Sequence, residues 1–269
     1  MTTGDVIIVS RGEQADAVER ALQQELGLPL LAPQQSVHAE FFLRFEQGRL
    51  TLYRHGEKTT GVTVDFSSPA LTRRRRQGLK SQGLGKAVGL KGARRPRVLD
   101  ATAGLGTDAF LLASHGCRVL TFERVPVVAA LLRDAMRRAA AHAELAPVME
   151  RLELRSEDVR QATLTGLDFD VVYLDPMFPP RRKSARVKKG MSALQRLLGE
   201  SELLPGENEE NAGLMALARG IALRRVVVKR GRHSPYLEAQ EPDLQFSGRS
   251  NRYDVYFTHR ANAADAQED

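Results

Sequence analysis

Val98-Leu-Asp100-Ala-Thr-Ala-Gly104-Leu-Gly106-Thr107-Asp108-Ala109 is the stretch on which the fold class turns. A short apolar run ends in Asp100, two glycines follow, and a helix takes over from Thr107, so the order is buried strand, tight turn, helix. Glycine lets the main chain pass close to a ligand because no Cβ intervenes. In an open α/β sheet such a turn lies at the carboxyl ends of the strands, the usual binding crevice. Gly104 and Gly106 therefore point to a nucleotide-type cofactor, although an ordinary strand-to-helix turn uses the same residues.

Downstream of this stretch, strand and helix signals alternate, the pattern of a mainly parallel sheet with helices on both faces. Strands are predicted at 97–102, 118–123, 152–155, 170–175 and 225–229, and a closing antiparallel hairpin at 244–246 and 253–257. Amphipathic stripes, Val128-Leu131-Leu132-Ala135 and Leu214-Leu217-Ala218-Ile221, mark helices between them and read as core. Glu123 ends the second strand, where an acidic residue accepts hydrogen bonds from ribose hydroxyls in this architecture. Gly104-x-Gly106-x-x-Ala109 followed by Glu123 also suits a nicotinamide dinucleotide, so these residues leave the cofactor open.

Upstream, a strand at 5–10, a helix at 13–26 and β-rich runs at 40–45, 49–54 and 61–66, the first two joined at Gln47-Gly48, predict a small α+β domain over 1–71. Residues 72–96 form a connector rich in Gly, Arg and Lys and free of acid, containing Arg73, Arg74, Arg75, Arg76 and Lys86. The main domain is expected at 97–260, with a disordered tail at 261–269. With 269 residues, 42% of them hydrophobic, the chain supports a real core. Its formal charge of +7 favours a polyanionic partner, nucleic acid first. Cys117 is alone and the six histidines lack ligand spacing, so we expect a reducing compartment and no structural metal. Nothing reads as a secretory signal or membrane span, which predicts a soluble, cytoplasmic protein.

Asp175-Pro176-Met177-Phe178-Pro179 follows the fourth strand and supplies the chemistry. It resembles the Asp/Asn/Ser-Pro-Pro-aromatic motif of methyltransferases that act on exocyclic amines, with Met177 in the third place. The lone pair of a base amino group is delocalised into its ring. Acceptors on its N–H groups can hold it with that lone pair aimed at a methyl donor. The Asp175 carboxylate and Pro176 carbonyl are the candidate acceptors, and Phe178 the stacking partner. In-line transfer from a sulfonium such as S-adenosyl-L-methionine needs positioning, with neither metal nor covalent nucleophile. A second acid-free run with Arg181, Arg182, Lys183, Lys188 and Lys189 adjoins the motif and could bind phosphates flanking the target.

Beyond this motif the sequence resembles the ribosomal RNA small subunit methyltransferase J family. The resembling segments include Lys86-Ala-Val-Gly-Leu-Lys-Gly92, Asp100-Ala-Thr-Ala-Gly-Leu-Gly106, Glu123-Arg124, Val171-Val-Tyr-Leu-Asp-Pro-Met-Phe-Pro179 and Arg225-Val-Val-Val-Lys-Arg230. The resemblance implies a class I (Rossmann-like) fold and a cofactor site at Thr107, Asp108, Glu123, Arg124, Asp158, Val159 and Asp175. Thr107 stands where the resemblance would place an arginine, so a backbone contact is what carries over. It also implies a guanine amine in 16S rRNA of the small subunit, whereas residue chemistry alone equally allows adenine or cytosine, in RNA or DNA. A nicotinamide-dependent oxidoreductase and a non-catalytic RNA-binding module are the rival classes.

Overall fold

The computed structural model describes residues 6–35, 39–56, 61–80, 82–176, 197, 207–237 and 240–258, the side chains of 207–211 excepted. The chain divides into two compact units: 1–65 with 126–135 and 178–207, and 66–125 with 136–177 and 208–269.

In the first unit, alternation in Phe41–Glu46 (β3) turns Phe41, Leu43 and Phe45 inward. Gln47 and Gly48 both take positive φ, 48° and 73°, the turn that matches strand twist in a two-residue hairpin, and lead into β4 (Arg49–Arg54). Val6–Val9 (β1) pairs in parallel with β3 and with the short β2 (Leu30–Leu31), giving the order β2-β1-β3-β4. Helix α1 (Ala17–Leu26) begins later than the apolar pattern predicts, because Asp16 and Glu19 close a capping box that fixes its first turn. The β-rich run at 61–66 does not become a strand. A bridge, Leu52 to Val62, pairs it with β4, and side chains add Thr51 with Thr63 at 2.7 Å and Arg49 with Asp65 at 2.9 Å.

The second unit is built on seven strands: β5 (Arg97–Asp100), β6 (Arg118–Phe122), β7 (Leu152–Arg155), β8 (Phe169–Leu174), β9 (Ala222–Gly231), β10 (Leu244–Ser247) and β11 (Asn251–Phe257). Their order is β7-β6-β5-β8-β9-β11-β10, parallel except at β11, which runs against both neighbours. This is the predicted mainly parallel sheet closed by a hairpin. Its helices are α2 (Pro69–Arg76), α3 (Gly83–Ala87), α4 (Thr107–Ser114), the end of α5 (Pro126–Ala140), α6 (Ala146–Met149) and α7 (Glu207–Ile221). The basic segment 72–96 thus carries the end of α2 and all of α3.

On one face Leu99, Leu120, Phe122, Val172, Leu174, Val226 and Val228 pack with Met215 and Ala218 of α7, and Leu214, Leu217 and Ile221 pack against this cluster. Burying each large aliphatic side chain contributes about 1.5–3 kcal/mol. That total offsets the ordering of long parallel connections. Elsewhere in the unit the Phe66 and Phe110 rings stack with centroids 4.4 Å apart. Cys117, between α4 and β6, is wholly buried and free, and burial pushes its thiol up to about 11. Among the described residues, no helix is long and apolar enough to cross a membrane.

Candidate active site at the carboxyl ends of the sheet

The strand order reverses between β5 and β8, and at such a switch point the connections leave in opposite directions and open a crevice. The glycine turn after β5 lies here. Gly104 (φ 52°) and Gly106 (φ 68°) are both left-handed, and a Cβ at Gly104 would meet nothing within 4 Å. The turn needs glycine for its backbone shape and leaves open space beside it. It is tied to β6 by Ala103 N–H on the Phe122 carbonyl at 2.8 Å. Glu123, buried just past the end of β6, accepts from Gly104 N–H (2.9 Å) and Val125 N–H (2.8 Å) through its two oxygens. A carboxylate keeps further lone pairs on each oxygen, so this arrangement orients Glu123 and leaves it able to accept hydroxyl donors.

Asp175 lies one residue beyond the end of β8, where the sequence extends the strand through it. Its N–H donates to Thr102 Oγ1 at 2.6 Å, and Thr102 N–H donates to Asp100 Oδ1 at 3.1 Å, so the ends of β5 and β8 are laced through one threonine. Asp108, in the first turn of α4, accepts from the Tyr173 hydroxyl at 2.8 Å and from Lys229 Nζ at 2.8 Å. Lys229 Nζ also donates to Asp175 Oδ2 at 2.7 Å, bridging the two acids. Arg74 approaches Asp108 from α2 at 3.8 Å.

These charges set the protonation states. Burial pushes Asp100 up to about 8, with Asp108 and Asp175 adding to the shift and the Thr102 amide and Lys229 opposing it. Burial also raises Asp175, while Lys229 draws it back down. For Lys229 the acids outweigh burial and raise its pKa, so it stays an ammonium.

Arg124 is exposed and near enough to Asp158 to help lower its pKa, after the larger effect of the Arg160 hydrogen bond. Asp158 caps the 3-10 turn Val159–Gln161 and is paired with Arg160. Val159 buries its side chain in the core cluster, so a ligand contact there would come from the main chain. Thr107 is half-buried at the start of α4, and Pro176 is half-buried after Asp175. The structure thus gathers Asp100, Gly104, Gly106, Asp108, Glu123 and Asp175 at adjoining strand ends, with Arg124 and Asp158 together after β6 and β7. Phe178, Arg181, Arg182, Lys183, Lys188 and Lys189 lie outside the described residues.

The four arginines of α2 do not behave alike. Arg74 faces Asp108, and Arg75 pairs with Glu144 at 2.9 Å. Arg73 and Arg76 are exposed and line an open groove with Ser67, Pro69, Thr72 and Gln77. Lys86 is exposed on α3.

A family model for SAM-dependent methyltransferases matches residues 22–258. A ribosomal RNA small subunit methyltransferase J from Cellvibrio japonicus is 45% identical over 251 residues, 88% of this chain and 91% of its own length. One of the same name from Nitrosococcus oceani is 43% identical over 252 residues, 92% and 96% of the two chains. The chain belongs to the ribosomal RNA small subunit methyltransferase J family. A crystal structure of a SAM-dependent methyltransferase from Neisseria gonorrhoeae superposes with a TM-score of 0.72 at 34% identity, covering 98% of this chain and 99% of that one.

Membership in the methyltransferase J family settles the cofactor as S-adenosylmethionine and removes the nicotinamide and non-catalytic readings. The residues fit this cofactor. Its sulfonium and ammonium are cations, and the crevice gathers the Asp108 and Asp175 carboxylates beside the protonated Asp100, with Glu123 available for hydroxyls. Sequence reasoning missed Lys229, Tyr173 and Thr102 as parts of this site. Lys229 ends the apolar run Val226-Val-Val228 inside a segment that the resemblance had singled out, and those were its signals.

Proposed function

We propose that this chain methylates the exocyclic amine of a guanine in 16S rRNA of the small ribosomal subunit, in the cytoplasm. S-adenosylmethionine supplies, when bound, a methyl group carried on a sulfonium. Asp100, Gly104, Gly106, Thr107, Asp108, Glu123, Arg124, Asp158 and Val159 are assigned to holding it. Glu123 would accept ribose hydroxyls while its amide bonds keep the glycine turn in place.

The observation that carries this reading is Asp175, fixed by Thr102 and Lys229 one residue past β8 and beside the glycine turn. Its carboxylate and the Pro176 carbonyl accept the two amine N–H groups and turn the lone pair toward the methyl. Phe178 is assigned to stacking on the base, and a target within a helix must leave its stack to reach the site. Arg73 and Arg76 are assigned to backbone phosphates, together with Lys86, Arg181, Arg182, Lys183, Lys188 and Lys189. Arg74 and Arg75, already facing Asp108 and Glu144, serve the protein surface first.

The test is transfer of a labelled methyl group to under-methylated small subunits, free rRNA and DNA, followed by nucleoside analysis. Label on a guanine amine of rRNA is expected. Label on another base, or on DNA alone, would overturn the substrate assignment.

A further inference from the structure

We propose that Lys229 is a positioning residue for this transfer, its ammonium bridging Asp108 and Asp175 so that the Asp175 carboxylate is fixed where it meets the substrate amine. This rests on the proposed role of Asp175 and gives a role to a residue that the resembling segment Arg225–Arg230 contained without one. Strand register puts it there. Leu174 pairs with Val228, so the next residue of each strand, Asp175 and Lys229, leave the sheet side by side. Val226 and Val228 point into the apolar cluster, and alternation sends Lys229 to the opposite face, toward α4.

The bridge does two things. Bonds of 2.7 and 2.8 Å to carboxylates on different elements leave the Asp175 side chain little rotational freedom, although 39% of it is exposed. It also supplies the larger of the positive charges that act on Asp175, ahead of Arg230. Burial and Asp108 of α4 disfavour its ionisation, the protonated Asp100 of β5, Tyr173 of β8 and Tyr253 of β11 face it without charge, and Arg230 helps from the side. Arg74 reaches Asp108 instead. A protonated Asp175 would offer the amine a donor where an acceptor is needed, so Lys229 keeps the residue in its working form.

The experiment compares the parent chain with Lys229→Met, Lys229→Arg and the double variant Lys229→Met with Asp108→Asn, which removes the acid that the first change strands and so protects folding. Transfer to under-methylated small subunits is followed from about pH 5.5 to 9, with S-adenosylmethionine affinity from calorimetry. Cofactor-free chains labelled at the aspartate Cγ report Asp175 by NMR titration. Both methionine variants are expected to lose about 100-fold in kcat at pH 7 and to recover as pH rises. In Lys229→Met the acid limb of kcat, and the Asp175 titration, should move up by about one to two pH units, and by less in the double variant, which also loses the opposing charge of Asp108. Lys229→Arg should restore most of kcat with the limb in its original place.

A Lys229→Met chain whose rate falls equally at all pH values, or whose Asp175 titrates as in the parent, or a double variant that keeps the parent rate, would overturn the proposal in favour of a purely structural lysine. Loss of transfer by the parent chain itself would strike the substrate assignment instead, and the NMR titration would still decide the Lys229–Asp175 link.

Discussion

Asp100→Asn removes a group that the fold favours in its neutral form. The Asp100 side chain is 2% exposed, and burial, reinforced by Asp108 and Asp175, raises its carboxyl from an ordinary 3.8 to about 8. Between those values the folded chain holds the proton and the unfolded chain does not, so stability falls as pH rises, by about 1.4 kcal/mol per pH unit for one proton. The loss levels off above the folded-state value. Asparagine keeps the oxygen that accepts Thr102 N–H at 3.1 Å and has no proton to lose, so this slope vanishes in the variant. From about pH 5.5 to 7.5 the variant should gain about 2–3 kcal/mol relative to the parent. Urea unfolding of both chains without cofactor, at several pH values, measures the gap, because every other titrating group is common to the two and largely cancels. A gap that stays constant or shrinks with pH would refute the burial-driven shift.

Glu123→Ala leaves the Gly104 and Val125 amides without their carboxylate and is expected to abolish measurable cofactor binding in calorimetry while costing about 1–3 kcal/mol of stability; an unchanged affinity would contradict the assignment. Gly104→Ala forces a side chain into φ 52°, and urea unfolding should show a loss of about 1–2 kcal/mol even though the added methyl meets no neighbour. Arg73→Ala combined with Arg76→Ala should flatten the salt dependence of RNA binding by about 1.4 in log–log slope, whereas Arg75→Ala leaves it in place. Equal slopes for the two variants would erase the distinction within α2.

The parts of the molecule that were legible in the sequence are those governed by short-range rules. Period-2 runs and helical stripes located β5 to β11 and the core face of α7, and the glycine spacing with Glu123 located the turn. The predicted strand through 175 stopped at Leu174, which changes little in the fold but frees Asp175 to face the crevice. Long-range pairing was not legible. Lys229 meets partners 121 and 54 residues away, so only the register of β8 against β9 reveals its role. Arg73-Arg-Arg-Arg76 reads as one charge run, yet helical phase gives its members different neighbours, Asp108 and Glu144 for the middle pair. The run at 61–66 had strand-like composition, but it meets β4 through an isolated bridge at Val62 with side-chain bonds beside it.

Cys117 gives the second unit a built-in gauge of its own breathing. The chain contains one cysteine, wholly buried with its thiol pushed up to about 11, so an alkylating reagent finds almost no thiolate while the sheet is closed. Modification then proceeds through openings that expose the segment between α4 and β6. Its rate, read by mass spectrometry on the unaltered chain, counts those openings at the end of α4 remote from the glycine turn.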